Sequence, residues 1–520
     1  MKDMTVPYAN FRRFVRSLDQ IDALRTIWGY HRHIVDDHPL PQGHAAERPS
    51  SVNLREHLWP WTLDILSREV ILHAGRHPRP DHRLAHFEDL RTAINSIRRL
   101  GDVDPGADID VMLYMHRLAH QQLPWQSGGW NRASVTRAWK VFGDEVLDGM
   151  VRSRYGMSMR QVMWLGFATG GNFLSKWGMT TRTDYQNPLD IPLEASIAFF
   201  DTLARTPRQL RELAVRHQSL DDSWAFTWNP LRAHPLVRYD PQHPDYVLCP
   251  VPRFAQERIT LGVFYDIVNE AGFSDAFGPA FQRYIGEVIE SRCAAPRFEI
   301  RAEAEYHVGR HRKDGVDWTV RDDGGVLFVE CKTKRMSFGA KDLTDPLQLE
   351  RDLGELAKAI VQHYKNIDDV LAGRTPHPTP TGPVFMMVVT LESWHLMSGT
   401  VRRQLGGMVV ERMQKAGVSL RMLEDIPWQV VAAQEFEQLV QVISDEGLTP
   451  VLREKTSPAY RDWDFVGFVL QTMPGWLASY APLFPDDEAK LFPDWITQAS
   501  GQRKVSGLPE PFIRAADRSS

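Results

Sequence analysis

Between Gly315 and Lys332 the chain reads GVDWTVRDDGGVLFVECK. Two runs of strand-forming residues flank RDDGG. The stretch therefore reads as a β-hairpin, with the glycines supplying positive φ at the turn. Side chains alternate between the two faces of a strand. In VLFVECK, Leu327, Val329 and Cys331 point one way, toward a core, and Phe328, Glu330 and Lys332 point the other. The hairpin folds Asp317 back beside Glu330. Two carboxylates and an ammonium then converge at the end of a strand that otherwise reads as buried. Unpaired charge is costly to bury, so a metal ion is expected to compensate it.

The neighbouring segments define the sheet to which this hairpin belongs. DAFGPAFQRYIGEVIESRC is a helix with Phe281, Tyr284, Ile285, Val288 and Ile289 on one face. RFEIRAEAEYHVG alternates as a strand. After the hairpin come the helical LTDPLQLERDLGELAKAIVQHYKNIDDVLAG, the loop TPHPTPTGP and the buried strand PVFMMVVTLE. ESWHLMSGTVRRQLGGMVVERMQKAG is helical, VSLRML is a short strand, and PWQVVAAQEFEQLVQVI runs from strand into helix. From 270 to 445 the order is α-β-β-β-α-β-α-β-α. This is an α/β domain, a mixed β-sheet flanked by helices.

Residues 1–240 read as a large, mainly α-helical domain, as in LREHLWPWTLDILSREVILHAG and IDVMLYMHRLAHQQL. The Pro-rich WNPLRAHPLVRYDPQHPDYVLCPVPRF, with short β-like runs, reads as a hinge-like connection to the second domain, 241–450. A C-terminal helical extension and polar tail occupy 451–520. Three cysteines without CxxC spacing argue against a disulfide framework or a structural zinc site and fit a reducing cytoplasm. No apolar stretch approaches the length of about 18 residues needed to cross a membrane. The net charge of −5 excludes a histone-like cation and leaves nucleic-acid contact to a local basic patch.

Asp317, Glu330 and the backbone carbonyl of Cys331 form half a coordination shell for Mg²⁺ or Mn²⁺, which water and substrate phosphate complete. Lys332 is placed to orient a water and to stabilise charge on a phosphoryl transition state. Such a set suits phosphodiester hydrolysis. Asp317, twelve intervening residues and then Glu330-Cys331-Lys332, on a hairpin between helices, resemble the PD-(D/E)XK, or restriction-endonuclease-like, nuclease superfamily. The resemblance spans roughly 245 to 445. It implies a restriction-endonuclease-like nuclease domain, a Mg²⁺-dependent endonuclease activity and nucleic acid, DNA favoured, as partner.

Two positions depart from that pattern. Val316 stands where the motif proline would be, and Gln282 stands where many members carry a helix glutamate. Gln282 is kept as an assisting residue. Glu287, about 140° round the helix from it, is an outside candidate. Lys334 and Arg335 after the motif, and Arg310, Arg312 and Lys313 before it, read either as phosphate contacts or as a solvated charged turn. Gln362, Tyr364 and Gln348 do not have the Gln-x-x-x-Tyr spacing of some members. His116 and His120 lack the glutamate of HExxH and read as a helix face. GFATGGNF lacks a phosphate-loop ending and reads as helix packing or a helix break.

The combined expectation is a cytoplasmic metal-dependent nuclease whose helical half recognises substrate, a partner or a trigger. By analogy of architecture, this looks like bacterial restriction or anti-phage defence proteins, with a phage-derived trigger or a protein partner. Cutting both strands of a duplex would suit a homodimer. The alternatives are a catalytically inactive nucleic-acid-binding or scaffold subunit, and an RNA-cleaving nuclease.

Overall fold

A computed structural model describes residues 5–77, 80–101, 110–126, 131–476 and 481–491. The polar tail expected at the C-terminus lies outside the described residues. The chain groups into two units. The first holds Met1–Asp108 and Gln121–Ala271; the second holds Ile109–His120 and Gly272–Asp487. No helix among the described residues is long and apolar enough to cross a membrane.

The first unit is mainly helical, as its three- and four-residue apolar spacing requires. Helices Thr5–Arg16, Gln20–Val35, Pro60–His73 and Phe87–Gly101 share a core that includes Phe11, Leu24, Ile27, Leu66, Val70 and Ile94. The Asp19 carboxylate caps the second of these by accepting from the Ile21 and Asp22 amides. GFATGGNF lies inside helix Met159–Ser175. A Cβ on Gly166 would come within 2.0 Å of Ile259, so this glycine serves close packing.

This unit also holds a small sheet of β1 (Gly178–Thr180), β2 (Ala204–Arg205), β3 (Leu236–Val237) and β4 (Tyr246–Leu248), in the order β1-β4-β3-β2. The β-like runs PLVRY and YVLCP, expected in a hinge-like connection, supply β3 and β4. Leu236, Val237, Val247 and Leu248 are all buried there, and an exposed connection could not bury them.

The second unit carries β5 (Glu299–Ala302), β6 (Tyr306–Val308), β7 (His311–Lys313), β8 (Trp318–Asp322), β9 (Gly325–Lys332), β10 (Val384–Thr390) and β11 (Trp428–Ala432). Its main sheet is mixed, in the order β11-β10-β9-β8-β5. β5, β8 and β9 pair antiparallel; β9, β10 and β11 pair parallel. Parallel neighbours need long connections, and helices Pro346–Leu371 and Gly399–Ala416 provide them. The first crossover helix starts at Pro346, capped by Asp345 through the Leu347 and Gln348 amides.

Val326 and Phe328 of β9 share one core with Met386 and Val388 of β10 and with Leu353, Leu356, Ile360 and Tyr364 of that helix. Burying a side chain such as Phe328 contributes about 1.5–3 kcal/mol. Helix Phe273–Glu290 also packs on the sheet, with Gly286 against the Trp318 ring.

Three local expectations are corrected. Neither Gly324 nor Gly325 has positive φ. Asp322 Oδ1 shapes the turn by accepting from both glycine amides, at 2.9 and 3.0 Å. The glycines are there for close approach: a Cβ on Gly325 would lie 2.8 Å from Pro383 O. RFEIRAEAEYHVG breaks into β5 and β6, and β6 pairs only with β7 in a separate ribbon. VSLRML ends in a helical turn, Met422–Asp425. That turn buries Met422 and leaves Leu420 38 % exposed.

Candidate active site

Strand register assembles the site. Trp318 pairs with Val329, so one further step sets Asp317 opposite Glu330. Ala302 pairs with Trp318, so one further step sets Glu303 opposite Asp317. Glu303 N donates to Asp317 O at 2.8 Å. Asp317 Oδ2 accepts from Cys331 N at 2.5 Å.

Glu330 is 5 % exposed, and its Oε1 lies 2.6 Å from Lys332 Nζ. Its Oε2 has no hydrogen-bond partner and lies 3.6 Å from His363 Nδ1, which has none either. His363 Nε2 is 3.1 Å from Phe328 O. A carbonyl only accepts, so Nε2 carries the proton and the neutral ring turns the Nδ1 lone pair toward the carboxylate. Two buried acceptors facing each other call for a proton or a cation between them.

The electrostatics follow from this crowding. Burial, then the Glu330 charge, pushes the Asp317 carboxyl up; the Cys331 amide and Lys332 offset part of this, and Glu303 adds to it. Burial works to lower Lys332, but pairing with Glu330 outweighs it and the net shift is upward. Lys332 is therefore an ammonium through the neutral range. Burial lowers His363, against the pull of Glu330.

Asp317, Glu330 and Lys332 are thus brought together as expected. Cys331 is half-buried as a residue, and its thiol interacts with Asp317. Burial and the two carboxylates hold that thiol well above its ordinary value, which removes it as a nucleophile. Gln282 Nε2 donates to Glu303 Oε2 at 3.2 Å, so it reaches Asp317 through Glu303. Glu287 is half-buried further along the same helix.

The basic residues divide. Lys334 is held by Asp352 at 2.9 Å. Arg335 is turned inward to Glu392 and is 12 % exposed. Lys313 lies 2.6 Å from Asp369, and Arg312 pairs with Glu305. Arg310 is exposed at the β6–β7 turn. Gln362 bonds Asn366, and the Tyr364 hydroxyl donates to Ile426 O.

The sequence reading missed Glu303 and His363. His363 follows Leu356 and Ile360 at successive steps of four and three residues, so it reads as one more residue of an apolar stripe. Glu303 becomes visible only through the β5–β8 pairing. Asp317, Glu330 and the Cys331 carbonyl offer oxygen donors for a hard divalent cation. Among the described residues no group of three His, Cys, Asp or Glu side chains is already arranged to hold a metal ion. Compared with known proteins, the chain matches no family model, no curated protein and no solved structure.

Proposed function

We propose that this chain is a metal-dependent nuclease that hydrolyses phosphodiester bonds, built on a restriction-endonuclease-like domain. One observation carries the reading: Asp317 stands opposite a buried Glu330 whose Oε2 is unpartnered, with Lys332 Nζ 2.6 Å from its Oε1. The element order supports it, with an antiparallel β5-β8-β9 meander followed by helical crossovers to β10 and β11.

Asp317, Glu330 Oε2 and the Cys331 carbonyl would hold Mg²⁺ or Mn²⁺. When bound, such an ion supplies Lewis acidity and lowers the pKa of a ligated water. Asp317 must first release the proton that its surroundings favour, so ion affinity rises with pH. Lys332 stays charged; it donates to the attacking water and to charge developing on the phosphoryl oxygens. Cleavage of a duplex, DNA being favoured, with a homodimer supplying two centres, belongs to the same proposal.

A non-cutting nucleic-acid-binding subunit is the second reading, favoured by one observation: Gln282 brings no charge and is occupied with Glu303. Incubation with supercoiled plasmid, linear DNA and single-stranded RNA, in Mg²⁺, Mn²⁺ or EDTA, separates the readings. Ion-dependent cutting supports the nuclease and names the polymer. Tight binding without cutting in either ion supports the second reading.

A further inference from the structure

Between Glu303 and Asp317 the chain leaves the main sheet as a ribbon of its own. β6 and β7, three residues each, pair only with each other. Gly309, at φ 63°, makes the tight turn and leaves Arg310 at the tip. Both legs return to the candidate centre: Glu303 lies three residues before the ribbon and Asp317 four after it. Such tethers span at most about 11 Å and about 14 Å, so the ribbon stands beside the carboxylates.

One face of the ribbon is fastened. Tyr306 pairs across it with Lys313. The Tyr306 hydroxyl and Lys313 Nζ each lie 2.6 Å from Oδ2 of Asp369, which is 3 % exposed. Asn366 Nδ2 donates to Gly315 O at 2.8 Å, and a Cβ on Gly315 would lie 2.8 Å from Ala304 O, so the legs are held close together. Lys313 is therefore an anchor, committed to the fold. The other face is open. His307 pairs across the ribbon with Arg312, and both are exposed, as are Arg310 and His311. Arg310 is in no ion pair among the described residues. Arg312 pairs with Glu305 and lies 3.8 Å from Asp314, and all three side chains are well exposed. Exposed pairs are weak, so a phosphate can take the place of a carboxylate there.

A fastened, two-stranded projection with a basic tip has the form of a groove-reading element. We propose that the β6–β7 ribbon enters the major groove of B-form duplex DNA, with Arg310 and Arg312 on flanking phosphates, and so delivers the backbone to the Asp317–Glu330 centre. The choice of nucleic acid as ligand rests on the nuclease reading. Dimensions select its form. Three residues a strand reach about 10 Å, against a B-form major groove about 12 Å wide and about 8.5 Å deep. Side chains cannot read the deep, narrow major groove of an A-form RNA duplex, and a single strand offers no groove.

The test measures fluorescence anisotropy of labelled duplex DNA, duplex RNA and single-stranded DNA of one sequence, across a range of salt. EDTA is present, so that binding is scored without cutting. Wild type is compared with Arg310→Gln, Arg312→Gln and Arg421→Gln, the last removing an exposed arginine outside the ribbon. Wild type should prefer duplex DNA. Each ribbon variant should bind it about tenfold more weakly at about 0.1 M salt, with the slope of log K against log salt shallower by about 1. Arg421→Gln should match wild type. Arg310→Gln, at an exposed turn, decides the matter if Arg312→Gln disturbs the fold. Duplex DNA that is not bound, is bound equally by wild type and Arg310→Gln, or is bound no better than the other two polymers overturns the proposal and leaves the nuclease reading to the cleavage assay. Ribbon-dependent binding of duplex DNA by a protein that cuts nothing in Mg²⁺ or Mn²⁺ sustains the proposal and removes the nuclease reading.

Discussion

Replacing Asp317 with Asn should stabilise the ion-free protein and abolish its cleavage activity. Burial and the Glu330 charge raise the Asp317 carboxyl in the folded state. The folded chain therefore keeps a proton there at pH values where the unfolded chain has lost it. Where the native state binds more protons, stability falls as pH rises. The loss begins in the ordinary carboxylate range and is complete above the raised folded value. Asn keeps the shape and can still accept from Cys331 N, now 2.5 Å away. What it removes is the cost of either keeping a proton that the unfolded chain has released or ionising beside Glu330. An incompletely compensated buried polar group costs about 1–3 kcal/mol, and Lys332 offsets part of that. A gain of about 2 kcal/mol at neutral pH follows, or roughly 4–8 °C in Tm for a unit of about 200 residues. Thermal denaturation in chelator, at about pH 5 and about pH 8, should show the advantage of the variant growing with pH. Added Mn²⁺ should raise the Tm of wild type and leave the variant unmoved. A variant no more stable than wild type at the higher pH, or one that Mn²⁺ stabilises equally, would refute this reasoning.

Three further outcomes are expected. Gly286→Ala puts a Cβ 2.1 Å from Trp318 Cζ2; the overpacking should cost about 1–3 kcal/mol and, by shifting β8 beside Asp317, lower cleavage, which denaturant midpoints and rates would show together. His363→Leu removes one donor to Phe328 O and the ring facing Glu330; a loss of about 0.5–1.5 kcal/mol should accompany weaker Mn²⁺ binding, and unaltered calorimetric affinity would show that the ring beside Glu330 Oε2 does not help that carboxylate hold an ion. Burial, then the Arg402 charge, lowers Lys455 to about 8; the unfolded chain binds more protons from there up to the ordinary lysine value, so stability should rise with pH across that window. Lys455→Met should flatten that rise in denaturant midpoints measured across the same range.

Strand periodicity was enough to set Glu330 and Lys332 on one face, because the period of two leaves no other choice once VLFVECK is a strand. The hairpin then delivered Asp317, since its register runs on directly from the turn. Longer-range pairing was not legible. Glu303 meets Asp317 only because β5 pairs with β8, and the alternation of RFEIRAEAEYHVG did not show where the strand would break. The runs around Leu236 and Val247 carry the same local signal whether they lie in a connection or a sheet. Gly324 and Gly325 were read for positive φ, yet their neighbours Thr449 and Pro383, far along the chain, dictate the need for glycine. Arg335 followed the motif and looked available for phosphate, but Glu392 draws it inward. In each case the deciding partner is distant in sequence.

The most direct test of the central claim is Mg²⁺-dependent conversion of supercoiled plasmid to open-circular and linear forms, with single-stranded RNA as a parallel substrate. Wild type is compared with Glu330→Ala and Lys332→Ala, each checked for folding by thermal denaturation. The account predicts cutting of one polymer by wild type, stopped by EDTA and lost in both variants. Cutting that persists in folded Glu330→Ala or Lys332→Ala protein would place the chemistry elsewhere and contradict it.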